Sequence, residues 1–499
     1  MLSTVFKYEK RINFLQKCVF VQNRTYVEKR IIIKNDQKKK NSQLNKLKEF
    51  KNSLETLTNA ILPWDPKDDV VPWSDRPPIV PLTCDVIVIG GGIIGSSAAY
   101  WLKRRCFRDL KVLVIEKDPW YSTASTVLSV GGLRQQFSLQ ENIEMSLFGA
   151  EFLRNVNSYL GIDGEPNVDT SFHPFGYLML SSEKGADTLM NNSKLQNFLG
   201  ANNILMSPTK LKDMFPWIDI EGVALGCLGL EKEGWFDPWS LLCAFKRKAI
   251  YQGVQYVCAE AMGFEYKEEC DKSVTDKKLD KLNIRTREGE TYSISFALAV
   301  IAAGAASGNI AKMADVGVAE NRGKLLNTPL PVEPRKRYVY CFHCPDGPGL
   351  NTPLTIDYTG TYFRREGLAG NYICGRSPEE SEEPPATDLN VDYDYFEEKI
   401  WPVLASRVPT FEKLKLKSCW AGYYEYNTFD QNGIIGLHPY HRNLLFATGF
   451  SGHGIQQAPA VGRAVSELIL DNKFTTIDLS KLSFERIIEN LPVREVNIV

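Results

Sequence analysis

Long apolar runs, grouped cysteines and an excess of charge of one sign are all missing from this chain, and each absence removes a class of function. The best candidate for a membrane span, residues 86–102, is broken by four glycines and two serines, so no transmembrane segment is expected. Lysine and arginine number 59 against 60 aspartates and glutamates, a formal net charge of −1. That balance supplies no overall field for gathering nucleic acid, and no nucleic-acid partner is expected. Eleven cysteines fall singly from Cys18 to Cys419 in a chain of 499 residues that needs no covalent staples, which reads as a reducing interior compartment. Cys341-Phe-His-Cys344 is followed by no second pair that would complete a zinc site. Packed thiols are expected there, and no metal. No internal repeat is present.

What the chain does have is 43% hydrophobic residues over a length sufficient for two domains. Its charge is also unevenly placed. Residues 1–48 hold 13 basic against 3 acidic residues, leaving 46 basic and 57 acidic in the other 451. The body is acidic and the basic charge is a tail. Residues 1–26 mix Leu2, Val5, Phe6, Ile12, Leu15 and Val19 with Lys7, Lys10, Arg11 and Lys17, the pattern of a mitochondrial presequence. Residues 27–81 turn lysine-rich and then proline- and tryptophan-bearing, an extended lead-in.

Order begins at Cys84-Asp-Val-Ile-Val-Ile-Gly90, an apolar run too short for a helix and ended by glycines, hence a buried parallel strand. Gly90, Gly92 and Gly95 form a G-x-G-x-x-G turn into a helical pattern, and a second strand, Lys111–Glu116, follows. A dinucleotide pyrophosphate needs close backbone approach at a helix N-terminus, which such a turn provides. Glu116, 21 residues past Gly95, is placed to accept from ribose hydroxyls. The fingerprint leaves FAD and NAD open. Two further strands run into glycine, 296–303 into Gly304 and 443–448 into Gly449. The second leads through Gly452, His453 and Gly454 into a helical stretch, 456–470, whose start would stabilise negative charge. Elsewhere, Ser138-Leu-Gln-Glu141 is a capping-box pattern before a helix reaching Gly161. Asp237-Pro238 starts another, stopped at Gly253. Charged loops are expected at 265–281 and 379–394.

Thr448-Gly-Phe-Ser-Gly-His-Gly454, with Asp430–Gly436 upstream and Pro459–Gly462 downstream, resembles the D-amino-acid oxidase and sarcosine oxidase/dehydrogenase family of FAD enzymes. The segments Ala124–Phe137 and Trp420–Asp430 are similar to its mitochondrial members involved in assembling respiratory complex I. The resemblance implies an α/β and α+β chain: a glutathione-reductase-like, Rossmann-type FAD domain with an inserted mixed β-sheet substrate domain. The expected division is 82–150, 225–325 and 425–490 for the FAD domain, and 151–224 and 326–424 for the substrate domain. It also implies cofactor contacts from Lys117, Ser125, Gly304, Gly449, Gly452, His453 and Gly454 beside the fingerprint residues. Complex I assembly intermediates would be partners, and the location the mitochondrial matrix, with peripheral contact to the inner membrane left open.

In the family's chemistry, flavin N5 takes a hydride from the carbon next to an amine, giving an imine that water hydrolyses; the protein orients the substrate. An amine or amino-acid substrate calls for a carboxylate clamp, an apolar cage and an environment that keeps the amine neutral. Arg134 is the first clamp candidate. Arg364 and Arg365 are second candidates, of which adjacent strand positions allow one to face a pocket. Tyr423, Tyr424 and Tyr426 are candidates for a cage wall, with Tyr424 the leading one. His453 would position the flavin. Gln456 stands where sarcosine oxidases carry a clamp lysine, which weakens a sarcosine-like reading. The histidine and cysteine that attach flavin covalently have no counterpart: Ser129 replaces the first and Cys419 is displaced from the second, so FAD is expected to be noncovalent. The alternative to a working enzyme is a flavin-binding assembly factor, or chaperone, with little turnover.

Overall fold

The computed structural model describes residues 79–106, 109–267, 278–318 and 324–496. The expected presequence and nearly all of the expected lead-in lie outside them. Among the described residues no helix is long and apolar enough to cross a membrane, no group of side chains could hold a metal ion, and the nine cysteines form no disulfide.

Strands run in chain order as β1 (Thr83–Ile89), β2 (Val112–Glu116), β3 (Gly132–Leu133), β4 (Tyr177–Ser181), β5 (Asn203–Met206), β6 (Leu225–Gly229), β7 (Gly234–Trp235), β8 (Gln255–Tyr266), β9 (Leu279–Thr286), β10 (Thr291–Ile301), β11 (Val332–His343), β12 (Leu354–Ile356), β13 (Tyr362–Glu366), β14 (Asn371–Gly375), β15 (Lys415–Asn427), β16 (Ile434–Leu437) and β17 (Leu444–Thr448). β1, β2, β8, β9, β10, β17 and β16 make a seven-stranded sheet, and β15, β11, β14, β13, β12, β4, β6 and β5 an eight-stranded mixed one.

In the first sheet β1 is parallel to both β2, through Val86 opposite Val112, and β10, through Val86 opposite Leu298. The chain therefore leaves β1 on one side and returns beside it on the other, and a ligand crevice opens at the carboxyl ends of such strands. Val86, Ile87, Val88 and Ile89 are all buried, because helices cover one face and the Phe296–Phe446–Phe484 cluster the other. Helix Ile93–Arg105 follows β1 directly. It presents Ser97 to helix Gly454–Asp471, whose Ala458 carbonyl accepts from the hydroxyl at 2.7 Å. Small residues on both helices permit this approach, and it places the starts of both helices at the crevice.

Several expectations change. The segment 225–229, assigned to the FAD domain from sequence, is β6 and pairs with β4 and β5; Gly226 and Gly229 let Leu211 and Glu233 pack close against the strand, and the return to the first sheet comes later. The capping box at Ser138 does not form. Helix Gln140–Arg154 begins after Leu139 with no side-chain cap, because the Ser138 amide and hydroxyl donate to Glu495 near the C-terminal end, and Glu141 pairs with Lys481 at 2.7 Å. That helix also breaks at Asn155 before a second, Val156–Leu160. Asp237 does cap helix Pro238–Tyr251, accepting from Trp239 and Ser240 amides. β8 runs to Tyr266, so Glu265 and Tyr266 are strand, not loop.

Candidate active site

A cavity of about 750 Å³ lies between the carboxyl ends of β1, β2 and β10, the start of helix Gly454–Asp471 and the faces of β11 and β15. That volume is in the range of small-molecule and cofactor sites.

Its nucleotide side is built from the glycine turn. Gly90 has φ +104°, and a Cβ there would stand 2.3 Å from the Ala302 carbonyl oxygen; a Cβ on Gly95 would stand 1.9 Å from the Gly90 oxygen. Neither position tolerates a side chain, so the turn is drawn tight and the helix start is brought to the strand ends. Helix Ile93–Arg105 has no side-chain N-cap at Gly92; the Thr126 hydroxyl takes the Ile93 amide at 3.2 Å. The remaining partial positive charge of the helix start is available to a phosphate. Glu116 accepts from the Gly91 amide at 2.8 Å and from the Asp118 amide at 2.9 Å, which orients the carboxylate at the end of β2. Burial raises its pKa against the opposing effect of those two hydrogen bonds.

Gly90, Gly92, Glu116, Lys117, Ser125, Gly304, Gly452, His453 and Gly454 all line the cavity. Two expected contacts do not. Gly95 acts one layer behind, as the close approach between helix and turn requires. Gly449 faces Val332 and uses its amide on Glu425 at 3.3 Å.

On the side formed by the eight-stranded sheet, Arg134, Tyr177, Ile356, Tyr362, Tyr424 and Gln456 line the cavity. Arg134 is buried and has no ion-pair partner among the described residues. Its Nη2 lies 3.2 Å from His453 Nε2, and the guanidinium carbon stands 4.7 Å from the Phe137 ring centre. Since arginine can only donate, the imidazole nitrogen accepts. Burial, and after it the Arg134 charge, lowers the His453 pKa to about 3, so the ring is neutral at working pH. The Arg134 amide donates to Gln456 Oε1 at 2.8 Å, tying this segment to the helix start.

Tyr424 donates its hydroxyl to the Ser451 carbonyl and stands against Gly452, whose Cβ would meet its ring at 2.4 Å. Tyr423 lines the cavity as well, whereas Tyr426 does not and packs under Arg335. Arg364 departs from expectation: its Nε donates to the Val130 carbonyl at 3.0 Å and its Nη1 to the Arg365 carbonyl at 3.0 Å. It holds backbone together and does not line the cavity. Arg365 likewise turns to the Gly367 carbonyl at 2.7 Å. Asp430, which opens the Asp430–Gly436 segment of the family resemblance, makes a buried ion pair with Arg486 at 2.7 Å.

Tyr177, Tyr362, Arg337 and Glu425 were not anticipated. Tyr177 and Tyr362 open β4 and β13, with nothing local in the sequence to mark their facing. Glu425 alternates with tyrosines in β15; its carboxyl accepts from Thr448 Oγ1 at 3.2 Å, and burial pushes it up to about 7. A lone acid in an apolar strand was the available signal.

Residues 85–468 match the family described as FAD dependent oxidoreductase. FAD-dependent oxidoreductase domain-containing protein 1 of Xenopus laevis is 50% identical over 461 residues, covering 91% of this chain and 92% of that one. Its Drosophila melanogaster homolog is 47% identical, with 83% and 81% covered. Mitochondrial dimethylglycine dehydrogenase of Rattus norvegicus is 24% identical over 82% of this chain and 45% of its own. Among solved structures, L-proline dehydrogenase from P. horikoshii superposes with a TM-score of 0.69 at 27% identity, covering 83% of this chain and 100% of that one. The glycine turn, the Glu116 carboxylate and the two helix starts are what an FAD dinucleotide requires, and FAD is the family's cofactor. On the fold, the cavity and these similarities, the chain belongs to the FAD dependent oxidoreductase family.

Proposed function

We propose that this chain oxidises a small amine or amino acid carrying a carboxylate, as a mitochondrial matrix flavoprotein that also serves the assembly of respiratory complex I. The observation that carries the catalytic part is Arg134, a buried cation that makes no carboxylate ion pair among the described residues, the buried Glu233 acting on it only beyond contact distance, beside a neutral histidine and a tyrosine wall. Such a cation is stabilised by an incoming carboxylate through charge-assisted hydrogen bonds. With Arg134 close by and Tyr177, Tyr362 and Tyr424 around it, an ammonium is disfavoured and the amine is held neutral. FAD, when bound, supplies the acceptor for the hydride from the carbon beside that amine. His453 keeps the Arg134 fork oriented, and Gln456 fixes the backbone behind it. The eight-stranded sheet supplies the substrate wall, and the seven-stranded sheet the cofactor bed. We take the FAD to be noncovalent: Cys419 is engaged with the Tyr393 hydroxyl at 3.2 Å and lies off the cavity wall.

One observation favours a second reading, an assembly factor with little turnover. Gln456 commits its amide oxygen to the Arg134 backbone and offers no second cation, so the clamp rests on one arginine. The matrix location is supported by the basic, apolar-interspersed residues 1–26, and the assembly role by the resemblance of the segments Ala124–Phe137 and Trp420–Asp430 to family members involved in that assembly. The deciding experiment is the visible spectrum of the purified protein during anaerobic addition of N-methylated, cyclic and D-amino acids. Bleaching of flavin absorbance by one class establishes turnover and names the class. A flavin that no member bleaches favours the assembly reading, and protein that never carries flavin overturns both. Fractionation of cells expressing the chain with and without residues 1–26 tests the location.

A further inference from the structure

This inference rests on the reading of the cavity as a site for carboxylate-bearing amines. Three arginines line it on the side of the eight-stranded sheet, Arg134, Arg337 and Arg376, and they differ in what neutralises them. Arg134 makes no carboxylate ion pair among the described residues, the buried Glu233 acting on it beyond contact distance. Arg337 is clasped at two points by Glu383, Nη1 to Oε2 at 2.9 Å and Nη2 to Oε1 at 2.7 Å, with both side chains only 16% exposed. Arg376 reaches Glu379 at 3.4 Å. The two carboxylates belong to the acidic stretch that sequence left as an exposed charged loop.

That stretch closes the cavity. Ser377 and Ala386, on either side of Glu383, are part of the lining, and further ion pairs tie the segment down, Lys336 to Asp388 at 3.2 Å and Lys399 to Glu382 at 2.6 Å. Tyr424 connects the two arginines: the Arg337 guanidinium stands 5.0 Å over its ring, and both Arg337 and Arg134 act electrostatically on its hydroxyl. A ligand held by Arg134 against Tyr424 therefore has Arg337 as its next cation. A guanidinium fork taking a carboxylate edge-on is the strongest carboxylate recognition a protein has. In Arg337 that fork is already filled by a carboxylate of the chain itself.

We propose that Glu383 is a specificity-determining residue: by occupying the Arg337 fork it leaves Arg134 as the one arginine on that side of the cavity without a carboxylate ion pair among the described residues, restricting ligands to one carboxylate there and excluding dicarboxylic amines and acids. A second carboxylate would have to lie against Glu383 or displace it, and like charges at that distance repel. Glu383 takes no part in the chemistry.

The test uses the FAD-loaded full chain and two matched probes, butyrate and glutarate, which differ by one terminal carboxylate. Their binding is read from perturbation of the flavin spectrum. The wild-type protein is expected to bind butyrate and to bind glutarate more weakly. In Glu383→Gln, glutarate is expected to bind about tenfold tighter than in wild type, the gain of one charge-assisted interaction, with butyrate affinity unchanged. The double variant E383Q/R337Q is expected to lose that gain. Should E383Q not retain FAD, Glu383→Asp, which keeps the charge but is one methylene short of the fork, is expected to show a smaller gain in the same direction. Glutarate affinity unmoved by these changes while butyrate still binds overturns the inference and leaves the proposed function standing. Failure of wild type to bind butyrate overturns the proposed function, and the inference with it.

Discussion

Replacing Arg134 with methionine separates a substrate clamp from a structural cation. A buried arginine that anchors an ion pair is costly to remove, about 3–5 kcal/mol, because the partner charge is left behind. Arg134 makes no such ion pair among the described residues, the buried Glu233 feeling its charge only beyond contact distance; it contacts His453 Nε2, the Phe137 face and the Met179 sulfur at 3.7 Å. Methionine conserves much of the stem volume and removes a desolvated charge, so the change in stability is expected to stay within about 1 kcal/mol of zero. Carboxylate binding should suffer instead. Hydrogen bonds to a charged group are worth about 1.5–3 kcal/mol, which corresponds to a loss of roughly 10- to 150-fold in affinity. Urea unfolding of the FAD-loaded protein and a butyrate titration on the same preparation measure both quantities. A large loss of stability with butyrate affinity intact would refute the clamp. The His453 ring reports independently: with the Arg134 charge gone its pKa should rise, burial continuing to hold it below the ordinary histidine value.

Gly95→Ala places a methyl where the Gly90 oxygen stands 1.9 Å away, so the helix start must retreat; protein purified from this variant should carry little FAD, read as the ratio of visible to ultraviolet absorbance. Asp430→Ala leaves the buried Arg486 without its carboxylate and should cost about 3–5 kcal/mol, measured as a shift in urea midpoint at constant slope. Glu425, with its pKa raised to about 7 by burial, binds its proton more tightly folded than unfolded. Its contribution is therefore fully present below the unfolded carboxylate range and lost as pH rises through 7. Glu425→Gln should flatten that decline in the apoprotein, gaining on wild type at pH 8 and matching it near pH 4 by thermal melting; an equal difference at both values would contradict the assignment.

The parts of the site that were legible in the sequence are those made by neighbours along the chain. The β1 strand, the glycine turn and the helix after it lie within about twenty residues, and the requirement for absent side chains at Gly90 and Gly95 leaves a direct mark. Glu116 was legible because strand β2 ends where it does. Asp237 and Pro238 announced their helix for the same reason: the cap and its recipients are two and three residues apart. Ser138 and Glu141 carried an equally good local pattern and did not form a cap, since Glu495 and Lys481, more than 300 residues away, compete for the same groups and win. Arg364 and Arg365 show a similar limit. Alternation said that two successive strand residues face apart, and both guanidiniums found backbone carbonyls within reach, leaving none for the cavity.

By itself the amino-acid sequence determined the dinucleotide-binding turn, the acidic residue that follows it, the family and hence the cofactor, because each depends on residue types at short, fixed spacings. Tertiary structure alone decided which cations are free. Arg134, Arg337 and Arg364 are chemically identical in the sequence; pairing of β11, β13 and β15 and the fall of the 377–388 segment leave the first without a carboxylate ion pair among the described residues, give the second Glu383 and turn the third onto backbone carbonyls and Glu366. A charge becomes available to a ligand only when folding brings no opposite charge into contact with it, and that is settled by contacts across the fold, such as Arg337 with Glu383, 46 residues on, and Arg364 with the Val130 carbonyl, 234 residues back.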